Sequence, residues 1–225
     1  MKEFINTKSI YKCQQETVWD LGNNVLYNLC TNNFTHDTDD KIIAKVWLIG
    51  RSYAAAIERR KNKDKSNEKN DDFYINSVTK VFKYPQIDEQ LSSLKTITLL
   101  ENNIPTILKT HHYLTDNVSK ITFQNNRSFC SKYLHFHLPE IYFLYDTRAV
   151  NAMRNFNKKL PLSMEKQIVI DMVDSEYGKF FYKCFLLQQN IYEKTGTLLT
   201  PRQLDNFLLN ISNENPNKKQ SEKIA

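Results

Sequence analysis

Residues Arg127 to Val150 read RSFCSKYLHFHLPEIYFLYDTRAV, and this stretch decides how the chain folds. Its first half predicts a helix over Ser128 to His137, rich in aromatic and aliphatic residues with Lys132 placed among Phe129, Tyr133, Leu134 and Phe136. Leu138 and Pro139 end that helix, because proline lacks the N–H an interior turn needs. Ile141 to Tyr145 is a short, dense apolar run, read as a buried extended connection. Asp146 then stands where a helix N-cap belongs, ahead of Ala149, Val150, Met153 and Phe156 on one face. On the other side, Gln124-Asn125-Asn126-Arg127 predicts a tight turn, since Asn tolerates the left-handed conformation.

The same helical spacing recurs along the chain. It predicts helices over Trp19 to Cys30, from Asp39-Asp40 through Ile57 to Arg59 and Arg60, over Phe73 to Tyr84, and over Ile87 to Leu100. Pro85 separates the last two. Pro105 suits the first turn of the next helix, through Val118. Tyr177 to Tyr192 forms another, and Thr200-Pro201-Arg202-Gln203 supplies a cap, a first-turn proline and a capping-box Gln to a final helix ending near Ile211. Lys61 to Asp72 reads as an exposed loop. The expectation is an all-α, single compact domain of about eight helices over residues 1–212, followed by a flexible polar tail over residues 213–225.

Composition agrees. With 225 residues, 40% hydrophobic and 12% aromatic, the chain can bury a sizeable core. Four glycines and six prolines are too few for a turn-rich β sandwich or barrel. The first residues carry no apolar run and no window approaches the roughly 18 apolar residues of a membrane span, so no membrane association and a cytoplasmic location are expected. Cys13, Cys30, Cys130 and Cys184 are widely spaced, which predicts reduced, buried thiols. His135 and His137 fall on different faces of one helix, so no metal site and no cofactor are expected. No Gly-rich phosphate loop and no G-x-S-x-G elbow is present.

A net charge of +6 and a pI near 9.0 permit a polyanionic partner, because cations that neutralise phosphates release counterions. Arg51 could line a phosphate groove with Tyr53 stacking on a base, and Arg127 could contact a phosphate from the Asn125-Asn126 turn. Lys132 admits two readings. In one, apolar surroundings lower its pKa and make a nucleophilic amine. In the other its stem lies over aromatic neighbours with the ammonium in water. A carboxylate fixed at Asp146 can orient a nucleophile or stabilise developing positive charge.

Ser131-Lys132, Leu134, Pro139, Tyr145-Asp146 and Val150 together resemble the helix-hairpin-helix DNA glycosylase superfamily, in particular bacterial branches with an 8-oxoguanine glycosylase-like fold. The resemblance is local, covering Ser128 to Val150. It implies a DNA-binding helical domain that flips a base from the stack and excises it, with Lys132 as nucleophile and Asp146 assisting. Asn125, Asn126, Arg127, Ser128, Arg148, Arg51 and Tyr53 are then the expected nucleic-acid contacts, with DNA as the first partner and RNA the second. The alternatives are a non-catalytic helical binding protein recognising DNA, RNA or a protein, and a helical ribonuclease using Arg127 and His135.

Overall fold

The computed structural model describes residues 4–61, 69–83, 85–156 and 159–214, and among them every regular element is helical. The helices are α1 (Thr7–Gln14), α2 (Val18–Asn32), α3 (Asp39–Ser52), α4 (Asn70–Phe73), α5 (Thr79–Phe82), α6 (Pro85–Leu94), α7 (Ile104–Thr122), α8 (Arg127–His137), α9 (Thr147–Met153), α10 (Leu162–Ile170), α11 (Ser175–Thr195) and α12 (Pro201–Glu214). That exceeds the expected eight. Thr7–Gln14 and Leu162–Ile170 are short helices that the sequence reading does not separate out. At α1 the Asn6 side chain accepts from the Ser9 N–H while Ser9 Oγ accepts from the Asn6 N–H, a reciprocal cap.

Helix α8 is the centre. Every residue from Phe129 to His137 is buried, because α2, α3 and α7 all pack against this one short helix. Tyr133, Phe129 and Phe136 fill the space between them, each removed from water at roughly 1.5–3 kcal/mol of stabilisation. The connector after α8 is extended and buried from Ile141 to Leu144. Its carbonyls would otherwise be orphans there, and side chains of α8 and α11 satisfy them: Tyr177 Oη donates to the Phe143 carbonyl at 2.9 Å and His135 Nδ1 lies 2.8 Å from the Tyr142 oxygen. Helices α9, α12 and α1 then stack on one another at one end of the molecule.

Several boundaries differ from expectation. Helix α3 stops at Ser52, short of Ile57, Arg59 and Arg60. The chain reverses at Ala54, which takes a left-handed φ of 51°, and the Ala55 N–H returns to the Gly50 carbonyl at 2.8 Å. Gly50 permits this reversal, since a Cβ there would stand 3.1 Å from the Ala56 Cα. Ile57–Arg60 is a separate 3-10 turn. The expected helix over Phe73 to Tyr84 contains a π turn, Tyr74–Val78, between α4 and α5; the wide turn lets Tyr74 Oη reach Glu58 at 2.8 Å. Tyr84 lies outside the described residues. The helix expected to reach Leu100 ends at Leu94, where the Lys95 and Ile97 N–H groups close tight turns ahead of the β-branched run Thr96-Ile97-Thr98. Helix α12 takes in Asn213 and Glu214, and the rest of the expected tail lies outside the described residues, as do Asn62 to Glu68 of the expected loop; Asn70 to Asp72, expected in that loop, instead open α4.

Two glycines in helices make opposite predictions. Gly50→Val drives a side chain into the Ala56 backbone and should destabilise the fold by about 1–3 kcal/mol. Gly22→Ala in α2, where a Cβ meets nothing within 4 Å, should stabilise it by about 0.5–1 kcal/mol. Urea denaturation of the three proteins measures both; equal midpoints would contradict this account of the α3 reversal.

Candidate functional site

The connector is stitched to α8 through side chains. Ser131 Oγ accepts from the Tyr145 N–H at 3.0 Å and donates to the Ser128 carbonyl. Lys132 Nζ donates to Ser128 Oγ and to the Tyr145 carbonyl, each at 2.7 Å. Both backbone groups of Tyr145 are thus tied to α8, and the next residue, Asp146, is placed by that tie. Asp146 is extended at φ −147°, and its Oδ1 accepts from the Ala149 N–H at 2.8 Å as the N-cap of α9.

Lys132 and Asp146 line the same cleft, a cavity of about 890 Å³. Tyr53 and Arg148 line it too, so four of the residues singled out by sequence meet there. The Tyr53 ring centre is 5.7 Å from Lys132 Nζ, within cation–π range. Lys132 is 2% exposed, which overturns the reading that leaves its ammonium in water. Burial lowers its pKa to about 8, against the pull of the Asp146 and Asp205 carboxylates, and the nearby Arg148 lowers it further.

Two cleft residues were not foreseen. Asp205 Oδ2 accepts from Arg202 Nη1 at 2.7 Å, while Oδ1 has no hydrogen-bond partner. Burial raises the Asp205 pKa to about 6 despite that arginine. Arg202 Nε in turn donates to Asp20 Oδ1 at 2.9 Å, joining α12 to α2. One signal was available: Asp205 follows Leu204 and precedes Phe207, Leu208 and Ile211, so a carboxylate sits on the apolar side of α12.

The remaining predicted contacts are engaged elsewhere. Arg51 Nη2 lies 2.6 Å from Glu58 Oε1, the same carboxylate that Tyr74 reaches across the π turn. Arg127 Nε donates to both oxygens of Asp174, the N-cap of α11, at 2.6 and 2.7 Å. Asn126 is 2% exposed and donates to Thr122 Oγ1 and the Gln124 carbonyl. The left-handed residue of this turn is Phe123, at φ 56°, which closes α7; neither Asn125 nor Asn126 has a positive φ. Of the predicted turn contacts only Asn125 is exposed, and Ser128 serves Lys132. For the ribonuclease pair, His135 is fully enclosed between Tyr27 Oη at 2.7 Å and the Tyr142 carbonyl, with its pKa pushed down to about 3 by burial. With Arg127 committed to Asp174, the two form no common site.

Cys13, Cys30, Cys130 and Cys184 are free and buried. No described helix is long and apolar enough to cross a membrane. Among known proteins, no family model matches the chain, and no curated protein or solved structure is significantly similar to it.

The Lys132 environment has a consequence for stability. Its pKa falls from 10.5 unfolded to about 8 folded, so between those values the unfolded chain binds more protons and stability rises with pH. Below pH 8 the cost of burying the charge is present in full. The stability difference between the protein and Lys132→Met should therefore shift by up to about 3 kcal/mol in favour of the former between pH 7.5 and 10.5. Paired urea titrations measure it, other groups cancelling in the difference; a difference flat in pH would place the ammonium in water.

Proposed function

We propose that the chain is a nucleic-acid-binding protein acting as a lyase-type DNA glycosylase, with Lys132 as the amine nucleophile and Asp146 assisting. The observation that carries this reading is a buried lysine of lowered pKa and a carboxylate of fixed position on one cleft. About 890 Å³ accommodates a nucleotide-sized ligand but no duplex, so a base would have to leave the stack to enter. At neutral pH a minority of Lys132 is unprotonated, enough for an amine held against its target.

In this reading the neutral Nζ attacks C1′ of the sugar. The C1′–base bond breaks, and the base leaves with the bonding pair and takes up a proton. The attached nitrogen loses its proton, its lone pair forms the C1′=N bond, and the C1′–O4′ bond opens with protonation of O4′. Loss of a C2′ proton then expels the 3′-phosphate. The Asp146 carboxyl lies on the same cleft, where it can stabilise the positive charge that develops at C1′ as the base departs. The Tyr145 carbonyl and Ser128 Oγ accept the two N–H bonds of the neutral amine and leave its lone pair for the substrate. Tyr53 and Arg148 suit a base face and a phosphate respectively.

Borohydride trapping on duplexes carrying modified bases or an abasic site tests this directly. A covalent protein–DNA adduct is expected, abolished by Lys132→Ala. Asp146→Asn keeps an N-cap side chain, so it should preserve folding while slowing adduct formation by about 100-fold. Absence of any adduct across the modified bases and the abasic duplex would leave a non-catalytic binding protein.

A further inference from the structure

The mouth of the cleft is apolar where a surface ordinarily is not. Val18 is 77% exposed and Trp19 72%, both in the first turn of α2 and both lining the cleft. Gly22, one turn on, lines it as well. A glycine inside a helix weakens it by about 0.5–1 kcal/mol relative to alanine, and packing does not require this one, since a Cβ would meet nothing within 4 Å. The missing side chain leaves this part of the cleft wall open. Four cations and two carboxylates lie among the cleft's described lining residues: Lys12, Lys132, Arg148 and Arg202 against Asp146 and Asp205. Among the described residues Lys12 pairs with Glu214 at 3.7 Å, both side chains being 55% exposed. An exposed indole, a bare stretch of backbone and a cationic margin together match a strand that presents flat faces and phosphates.

We propose that Trp19 and Val18, with the open backbone at Gly22, form a stacking platform at the cleft mouth for an unpaired nucleobase of a single-stranded or locally opened nucleic acid. This rests on the nucleic-acid reading of the cleft and adds where the strand lies: across the start of α2, with phosphates toward Lys12 and Arg148. The base on the platform neighbours the one that enters, so the occupied strand is unpaired for at least two consecutive bases. Stacking tolerates any base, because each has a π face. Selectivity would then reside deeper in the cleft.

Trp19 reports on its own occupancy. The chain has two tryptophans, so in a Trp47→Phe background the indole emission belongs to Trp19. Titration with a fluorescein-labelled oligothymidine 12-mer follows strand binding by anisotropy and Trp19 by quenching, with a duplex of equal length as comparison. The expected result is quenching that tracks anisotropy, tighter binding of the single strand, and about tenfold weaker binding for Trp19→Ala with Trp19→Phe in between. Gly22→Glu, which fills the clearance with a negative charge while improving helix propensity, should keep its melting temperature and lose strand binding. Strand binding that leaves Trp19 emission unchanged and survives Trp19→Ala overturns the platform and leaves the nucleic-acid reading standing. No binding of either oligonucleotide overturns both. Quenching produced by raising the protein concentration alone would assign this face to a second copy of the chain and overturn the platform.

Discussion

The pair of hydrogen bonds from Lys132 Nζ to Ser128 Oγ and the Tyr145 carbonyl is the constraint on which the site depends. An ammonium that is 2% exposed must be given acceptors, and here the acceptors come from its own helix and from the end of the connector. Satisfying the charge therefore fixes where the connector ends. Asp146 follows at once, and its capping bond to Ala149 sets the direction of α9. From α9 the packing passes to α12, which carries Asp205 and Arg202 to the other wall of the cleft. One buried cation thus organises two helices and the cavity between them.

Burial alone does not mark Lys132 as functional, because a second lysine is more deeply enclosed. Lys45 is 0% exposed, and burial lowers its pKa to about 8 as well. Its Nζ donates to the Asn33 and Thr35 carbonyls at 2.7 and 3.0 Å and lies 3.3 Å from His36 Nε2. Those partners use all three of its donor directions, and the carbonyls belong to the chain leaving α2, so Lys45 closes that turn. Its neighbours are other core groups: His36 is held in turn by Asp88 and Tyr133. Lys132 has two acceptors and a cavity in place of the third. In the proposed reading, what distinguishes Lys132 as the reactive lysine from Lys45 as a structural one is that one direction, and no pKa separates the two.

This bears on what could be read from the residues alone. Both lysines sit in apolar helical surroundings, Lys45 among Ile42, Val46 and Ile49 and Lys132 among Phe129, Tyr133 and Phe136, so the pattern that singled out one applies to the other. Helix positions and caps were legible where capping chemistry is local, as at Asp146 and Thr200, whose side chains bond within three residues. Helix ends set by tertiary contact were not. The α3 reversal depends on Gly50 admitting the Ala56 backbone, and the π turn on Tyr74 meeting Glu58, neither visible in a periodicity. The cations Arg51 and Arg127 were read as free because their partners, Glu58 and Asp174, are 7 and 47 residues away. A basic sequence shows how many cations there are; only folding shows which remain unpaired.

The fate of Arg127 also shapes how a strand could approach. With its guanidinium committed to the α11 cap and Asn126 turned inward, the turn before α8 offers little beyond the exposed Asn125 and the aromatic face of Phe123, which is 67% exposed. The cleft margin, by contrast, carries Lys12 and Arg148. Trp19 lines that same cleft. In the proposed reading phosphate attraction falls to the cleft rim and positioning of the reacting carbon to Lys132, two tasks carried by different elements of the fold.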